Sequence, residues 1–512
     1  MNTLDNRFSN WKGHALALAA GAITPLSLAP YGHWFLGVFA AGLLSWLLAG
    51  LSGKQGFIRA FIFGLGLYLS GASWVYVSIH DFGFAAMPLA VILTGLFVTS
   101  LALVFAAPFY LFCRFFSANT FFIIVSFPAL WVLGEWSRTW FLTGFPWLFI
   151  GYAHIDTWLS GWAPVLGVLG VSYIAVLSGT LVALILHKNA RRTPYLATAA
   201  LAILCLWGAG KLLSNIEWGQ KLEANRVSIA MVQPNIPLPM KWSAKYQPFI
   251  AETLLGLTEE HWGKDIIVWP EAAIPYLYEE GQNFIQFINS QAESTNTALL
   301  SGVLYDRYDE QEKQYYYYNA ILGLGNSNDK YFKQRLVPFG EYVPFENYLR
   351  GLIAFFDLPN SVIHKGPKKS AILNINKDSE DHYKISPSIC YEIVYPDLVA
   401  DSARQAEILV TISNDAWFGD SIGPLQHFQM AQMRALENNR YVIRSTNTGI
   451  SGLIDNKGKI VFTGEQFARE AISGEGYRLQ GNTLFSNTGS LPIILFCLFN
   501  LILLCIYKRL HH

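Results

Sequence analysis

The chain has 512 residues, 52% of them hydrophobic and 14% charged, with a mean hydropathy of +0.30. Soluble domains average about 25% charged residues, so the composition argues against a purely soluble protein; the apolar content and only 5 Cys also exclude disorder, collagen-like repeats and a disulfide scaffold. Lys and Arg balance Asp and Glu at 36 each, which leaves no electrostatic reason to expect nucleic acid.

The average hides two populations. Positions 1–213 carry 14 charged residues and positions 487–512 carry 2, leaving 56 of the 72 for positions 214–486. The middle is therefore about 20% charged, near a soluble domain, while the flanks fall far below it. The expected organisation is a transmembrane bundle over 1–213, an α/β domain over 214–486, and a closing transmembrane helix with a short tail over 487–512.

Uncharged apolar runs of about 20 residues read as spans. They fall at His14–Pro30, Trp34–Leu51, Phe57–Ile79, Met87–Phe112, Phe121–Leu133, Leu159–Leu186 and Tyr195–Leu213, with an eighth at Ser490–Tyr507. The fifth is short and runs into Glu135 and Arg138. The first follows Arg7 and Lys12 like a signal peptide, but six more runs follow closely, so an uncleaved span is expected. With the N-terminus inside, Arg7, Lys12, Lys54, Arg59, Arg114, Lys188, Arg191, Arg192, Lys508 and Arg509 are cytoplasmic, against Arg138 and Lys211 outside. Seven spans before Ser214 then put the middle domain outside, in the periplasm of a bacterium, with both termini in the cytoplasm.

That location bears on the cysteines. Cys113, Cys205, Cys497 and Cys505 lie in or beside spans, where apolar packing explains them. Cys390 alone lies in the external domain, with no disulfide partner there, which makes it either a buried core thiol or a nucleophile.

Within 214–486, β-rich runs alternate with helical stretches, the pattern of an α/β layer architecture. Strands are expected at Val227–Val232, Asp265–Trp269, Ala298–Leu304, Tyr316–Leu324, Tyr383–Ile389 and Ile408–Ile412, and helices at Phe284–Ser294, Leu398–Gln405 and Gln426–Asn438. Gly449–Asp455 and Lys459–Phe462 flank Asn456-Lys457-Gly458 as a hairpin. Candidate chemistry sits where strands end. Glu271 follows one strand, Cys390 another, and Lys333 precedes a Pro-Phe-Gly-Glu loop. A Cys nucleophile needs a base and an oxyanion partner, which these residue types supply. Each also has a structural alternative: a helix N-terminal acid, a packed thiol, a solvated surface charge. Spacing alone does not separate them. HExxH, paired CxxC, Gly-rich phosphate loops and GxSxG are all absent, so no metal or other cofactor is expected.

Four segments are more specific. Trp269-Pro270-Glu271-Ala272-Ala273-Ile274-Pro275, Leu336-Val337-Pro338-Phe339-Gly340-Glu341-Tyr342-Val343-Pro344, Ile389-Cys390-Tyr391-Glu392 and Ser413-Asn414-Asp415-Ala416-Trp417-Phe418-Gly419 resemble the nitrilase superfamily. Together with Trp74-Val75-Tyr76-Val77-Ser78-Ile79, Leu142-Thr143-Gly144-Phe145-Pro146-Trp147 and the span pattern, the whole chain resembles the bacterial apolipoprotein N-acyltransferase family. The resemblance implies an αββα sandwich with Glu271 as general base, Lys333 as oxyanion-side cation and Cys390 as nucleophile. It further implies that Glu341 supports the lysine or the base, that the Tyr391 amide donates to the oxyanion, and that Glu392, Asn319, Trp242, Arg138 and Trp147 occupy family positions in or near the site.

The same resemblance implies the partners: a phospholipid acyl donor in the inner-membrane bilayer, and a diacylated apolipoprotein acceptor acylated through a Cys thioester. Trp140, Phe141, Phe145, Trp147 and Phe149 suit an interfacial aromatic belt, or alternatively an acyl-chain lining. Arg138 is placed to meet a lipid phosphate or to pair with Glu135 one helical turn away. His427 leaves a Cys-His pairing open, with a structural histidine as the simpler expectation. The alternatives for the whole chain are a membrane-tethered amidase of the same superfamily, passing the acyl group to water, and a non-catalytic sensor or transporter.

Overall fold

The computed structural model describes residues 11–183, 193–221, 225–344, 346–349, 351, 362–367, 372–377 and 382–511. Arg7, Lys188, Arg191 and Arg192 of the topology count lie outside them. Two compact units divide the chain: one takes residues through Tyr76, Ala86–Ile216 and from Thr488 onward, the other Val77–Ala85 and Glu217–Asn487.

The first unit is helical. Among the described residues, Met87–Phe115, Thr120–Ser137, Trp158–Ala183, Leu196–Leu213 and Leu491–Leu510 are long and apolar enough to cross a membrane. Helices also occupy the other three expected runs, but shorter ones. Trp11–Ile23 stops where Thr24-Pro25 begins a 3-10 turn, and Trp34–Leu48 has 15 residues. The run expected over Phe57–Ile79 is broken: one helix covers Gly53–Gly71, small residues at Gly71-Ala72-Ser73 interrupt it, and a short helical turn at Val75–Val77 passes into a π-helical turn at Ser78–Phe82. Small residues also set helix packing: a Cβ on Gly42 would lie 2.4 Å from the Gly179 carbonyl oxygen, so backbones touch where only glycine fits.

The second unit is a sandwich of two six-stranded sheets. Its strands are β1 (Arg226–Gln233), β2 (Ile266–Val268), β3 (Ala298–Asp309), β4 (Gln314–Gly325), β5 (Lys330–Phe332), β6 (Leu373–Asn376), β7 (His382–Ile389), β8 (Ile408–Ser413), β9 (Tyr441–Thr446), β10 (Gly452–Ile454), β11 (Ile460–Thr463) and β12 (Glu470–Tyr477). One sheet runs β12-β1-β2-β3-β4-β5 and the other β11-β10-β9-β8-β7-β6. In each sheet three central strands are parallel: β1, β2 and β3 in one, β7, β8 and β9 in the other.

Alternation along the strands builds the layers. Ile229 and Met231 of β1, Ile266 and Val268 of β2, Ile385 and Ile389 of β7, and Val410 and Ile412 of β8 point into the inter-sheet core. The intervening Ala230, Val232, Ile267 and Leu299 point outward and pack on Ile250 and Leu254 of helix Gln247–Thr258 and Ile285 and Ile288 of helix Gln282–Ser294. Helices Pro396–Ala403 and Gly423–Asn438 follow β7 and β8 in the second half. The αββα expectation stands.

Candidate active site

The site forms at the C-terminal ends of the strands, as open α/β sheets favour. After β2, Trp269-Pro270 leads into Glu271, and Ala272 adopts φ +47°, a left-handed conformation costly for a residue with a Cβ. Gly302 of β3 makes room for this elbow, since a Cβ there would lie 2.4 Å from the Ala272 nitrogen. The Glu271 carboxylate receives the Asn319 Nδ2 at 2.7 Å on Oε1 and the Asn414 backbone N–H at 2.7 Å on Oε2.

Lys333 follows β5 and is fully buried. Its backbone N–H donates to the Asn319 carbonyl, and its Nζ lies 2.9 Å from Glu341 Oε1 and 3.5 Å from Glu271 Oε1. Burial works to strip its proton, but Glu341 and Glu271 outweigh burial and hold its pKa above the ordinary lysine value. The remaining Glu341 oxygen accepts the Val337 N–H at 2.8 Å, and Asn319 Nδ2 reaches Glu341 Oε1 at 3.0 Å. One amide and one ammonium thus tie two carboxylates together.

Cys390 follows β7 directly at φ +52°, half-buried and free of any disulfide. Burial first, then Glu271, push its thiol well above the usual range, against the pull of Lys333. His427 Nε2 donates to the Cys390 carbonyl at 3.1 Å. A carbonyl only accepts, so the proton sits on Nε2.

Glu392 proves to be a clamp. Completely buried, it accepts from Tyr331 Oη at 2.9 Å, the Gln334 N–H at 2.6 Å, the Arg335 N–H at 3.0 Å and the Ile389 N–H at 2.8 Å. It joins the chain just after Lys333 to the chain just before Cys390. Tyr391 is buried edge-on against Tyr395, and Trp242, 48% exposed, follows the short helix Leu238–Lys241.

Arg138 and Trp147 belong to the helical unit. Arg138 is buried rather than presented to lipid: its Nη1 donates to Tyr68 Oη and to the Trp147 carbonyl, and its guanidinium stacks 5.0 Å from the Phe149 ring centroid. No side-chain ion pair with Glu135 forms among the described residues; the Glu135 Oε1 accepts instead from Trp131 Nε1 and the Ile150 N–H. The proposed aromatic belt splits likewise: Trp140 and Phe141 are exposed, Trp147 and Phe149 buried.

Sequence reasoning missed Lys241, whose Nζ donates to the Glu271 carbonyl at 2.7 Å, and the buried Asp415 and Arg444 that pack with His427. Asp415 lay inside a quoted motif; Lys241 and Arg444 lay in none. Among the described residues, no group of three or more His, Cys, Asp or Glu side chains is arranged to hold a metal ion.

Residues 20–181 match the apolipoprotein N-acyltransferase N-terminal domain family, and residues 228–475 the carbon-nitrogen hydrolase family. The chain is 41% identical to the apolipoprotein N-acyltransferase of Pseudomonas syringae pv. tomato, over 95% of each chain. It is 41% identical to that of Azotobacter vinelandii, over 94% of this chain and 93% of the other. Among solved structures, Saccharomyces cerevisiae Nit3, of the nitrilase superfamily, aligns at 21% identity and a TM-score of 0.38, covering 54% of this chain and 97% of its own. By its two domain matches and its full-length relatives, the chain belongs to the apolipoprotein N-acyltransferase family.

Proposed function

We propose that this acyltransferase moves an acyl chain from a membrane phospholipid, through a thioester on Cys390, to the α-amine of the S-diacylglyceryl cysteine at an apolipoprotein N-terminus. The supporting observation is the buried cluster that brings a carboxylate, an ammonium and a half-buried thiol to adjoining strand ends. It occurs in a chain whose relatives are named apolipoprotein N-acyltransferases.

In the first step Glu271 takes the Cys390 proton as sulfur attacks the ester carbonyl. The carbonyl oxygen becomes an oxyanion, which Lys333 and the Tyr391 amide stabilise. Collapse breaks the ester C–O bond, and the proton on Glu271 passes to the departing lysophospholipid oxygen. In the second step the lipoprotein amine attacks the thioester, Glu271 accepts an amine proton, and the C–S bond breaks. The sulfur recovers that proton, leaving an amide. One base and one cation serve both halves in turn.

Both substrates are held in the bilayer by their acyl chains, at about 0.8 kcal/mol per buried CH₂, so the reaction belongs at a membrane surface. The charge asymmetry of the short loops supports an outward-facing catalytic domain with both termini inside.

Intact-mass spectrometry of the purified protein after incubation with phosphatidylethanolamine tests this. The wild type should gain one acyl chain, Cys390→Ala none, and a diacylated lipopeptide should discharge the adduct as an amide. No adduct on folded protein with reduced Cys390 overturns the proposal. Discharge to water alone points to the amidase.

A further inference from the structure

Lys241 is a cation the triad does not use. It closes the short helix Leu238–Lys241, is 6% exposed, and donates from Nζ to the Glu271 carbonyl at 2.7 Å. Its acceptor is a neutral backbone oxygen, and among the described residues it makes no ion pair. Burying an ammonium without a directly bonded counter-ion is costly, so such a residue marks a place where charge is used.

Two features show what the charge does here. The accepted oxygen belongs to the peptide between Glu271 and Ala272, and Ala272 holds φ +47°. An N–H on that oxygen fixes the turn that aims the Glu271 carboxylate. The second feature is charge balance. Glu271 and Glu341 share the Asn319 amide and the Lys333 ammonium, so one cation faces two anions within hydrogen-bond reach. Like charges this close resist ionising together unless a second cation compensates them. The other nearby carboxylate, Asp415, already has Arg444. Burial lowers the Lys241 pKa to about 8, with Glu271 and Cys390 pulling upward, so the ammonium persists at neutral pH.

We propose that Lys241 is a positioning residue of the catalytic centre: its Nζ–H locks the turn that carries Glu271, and its charge is a second cation beside the Glu271 carboxylate. The inference rests on the reading of Glu271 as base and Cys390 as nucleophile.

The test is the initial rate of acyl-enzyme formation on the full chain with phosphatidylethanolamine, followed by intact mass across about pH 5 to 9, a range that brackets the acid limb. Lys241→Met removes hydrogen bond and charge, whereas Lys241→Gln keeps a donor and removes only charge. In both, the acid limb should move up by about 1 pH unit, because a carboxylate has lost a neighbouring cation. The plateau rate of Lys241→Met should fall roughly tenfold, and Lys241→Gln should recover most of that loss. An unmoved acid limb in both variants overturns the proposal, whether the rate is unchanged or falls only in step with the melting temperature. Should Lys241→Met fail to fold, Lys241→Gln carries the pH test alone. Acylation of Cys390→Ala would instead sink the underlying triad reading, independently of Lys241.

Discussion

Lys333 Nζ lies 2.9 Å from Glu341 Oε1, closer than the 3.5 Å that separates it from Glu271. The cation of the proposed triad is therefore anchored chiefly by a residue outside it. With Glu341 gripping one side and the Val337 N–H holding the far Glu341 oxygen, the ammonium is fixed before substrate arrives. Preorganised charge of this kind carries much of acyl-transfer catalysis.

Glu341→Gln should accordingly leave a folded protein whose acyl-enzyme forms more slowly by roughly 10²-fold, comparable to removing one oxyanion donor. The amide can offer oxygen to Lys333 or to Val337, not both, and its charge is gone. Rates by intact mass within about threefold of wild type, on the same scale, would remove Glu341 from the machinery.

Glu392 calls for the opposite outcome. Its four donors are two loop amides, one strand amide and a tyrosine hydroxyl, and every one needs an acceptor. In Glu392→Gln an NH₂ must face one of those N–H groups, which costs about 2–4 kcal/mol when buried hydrogen bonds to a charged group are lost. The expected result is a lower melting temperature and less foldable protein. Folded molecules should acylate at nearly the wild-type rate per mole. A slower rate without a melting shift would give Glu392 a direct catalytic role.

Much of this was legible in the sequence, and the reasons differ by residue. Val227–Val232 and Ile408–Ile412 are buried almost throughout, so apolar runs broken only by Ser228 and Thr411 mark strands within a residue or so of their true ends. Strands β5, β6 and β12 carry no such signal: Lys330–Phe332 has three residues, and Glu470–Tyr477 is a sheet edge broken by Gly474 and Gly476. Strand β9 hides for another reason. Its Arg444 reads as a surface charge, yet is buried because Asp415, far along the chain, neutralises it. The proposed triad residues lie in local motifs, whereas Lys241 lies in none: the carbonyl it meets belongs to Glu271, thirty residues away, and no local pattern encodes that contact.

That same Asp415–Arg444 pair, with His427, sets a pH dependence of stability whose sign follows from burial. Asp415 accepts from Arg444 Nη2 at 2.6 Å and Ser413 Oγ at 2.6 Å; burial opposes its charge, but Arg444 and then His427 outweigh it and hold the carboxyl far below the usual range. A carboxyl depressed in the folded state stabilises fully above its unfolded value of about 3.9 and loses that contribution as pH falls below it. His427 is lowered by burial and next by Arg444, so it stays neutral where an unfolded chain would bind a proton. Its contribution is full above about pH 6.5 and drains away as pH falls from there toward its folded value. Both act in one direction, in separate windows. Melting temperature should drop in a first step below about pH 6.5 and a second below about pH 4. His427→Gln, which can keep the donor to the Cys390 carbonyl, should flatten the first step and retain most acylation. His427→Phe removes that donor beneath Cys390, held at φ +52°, and should slow acylation even at pH 8. Equal acylation by the Gln and Phe variants would show that the imidazole does not position Cys390.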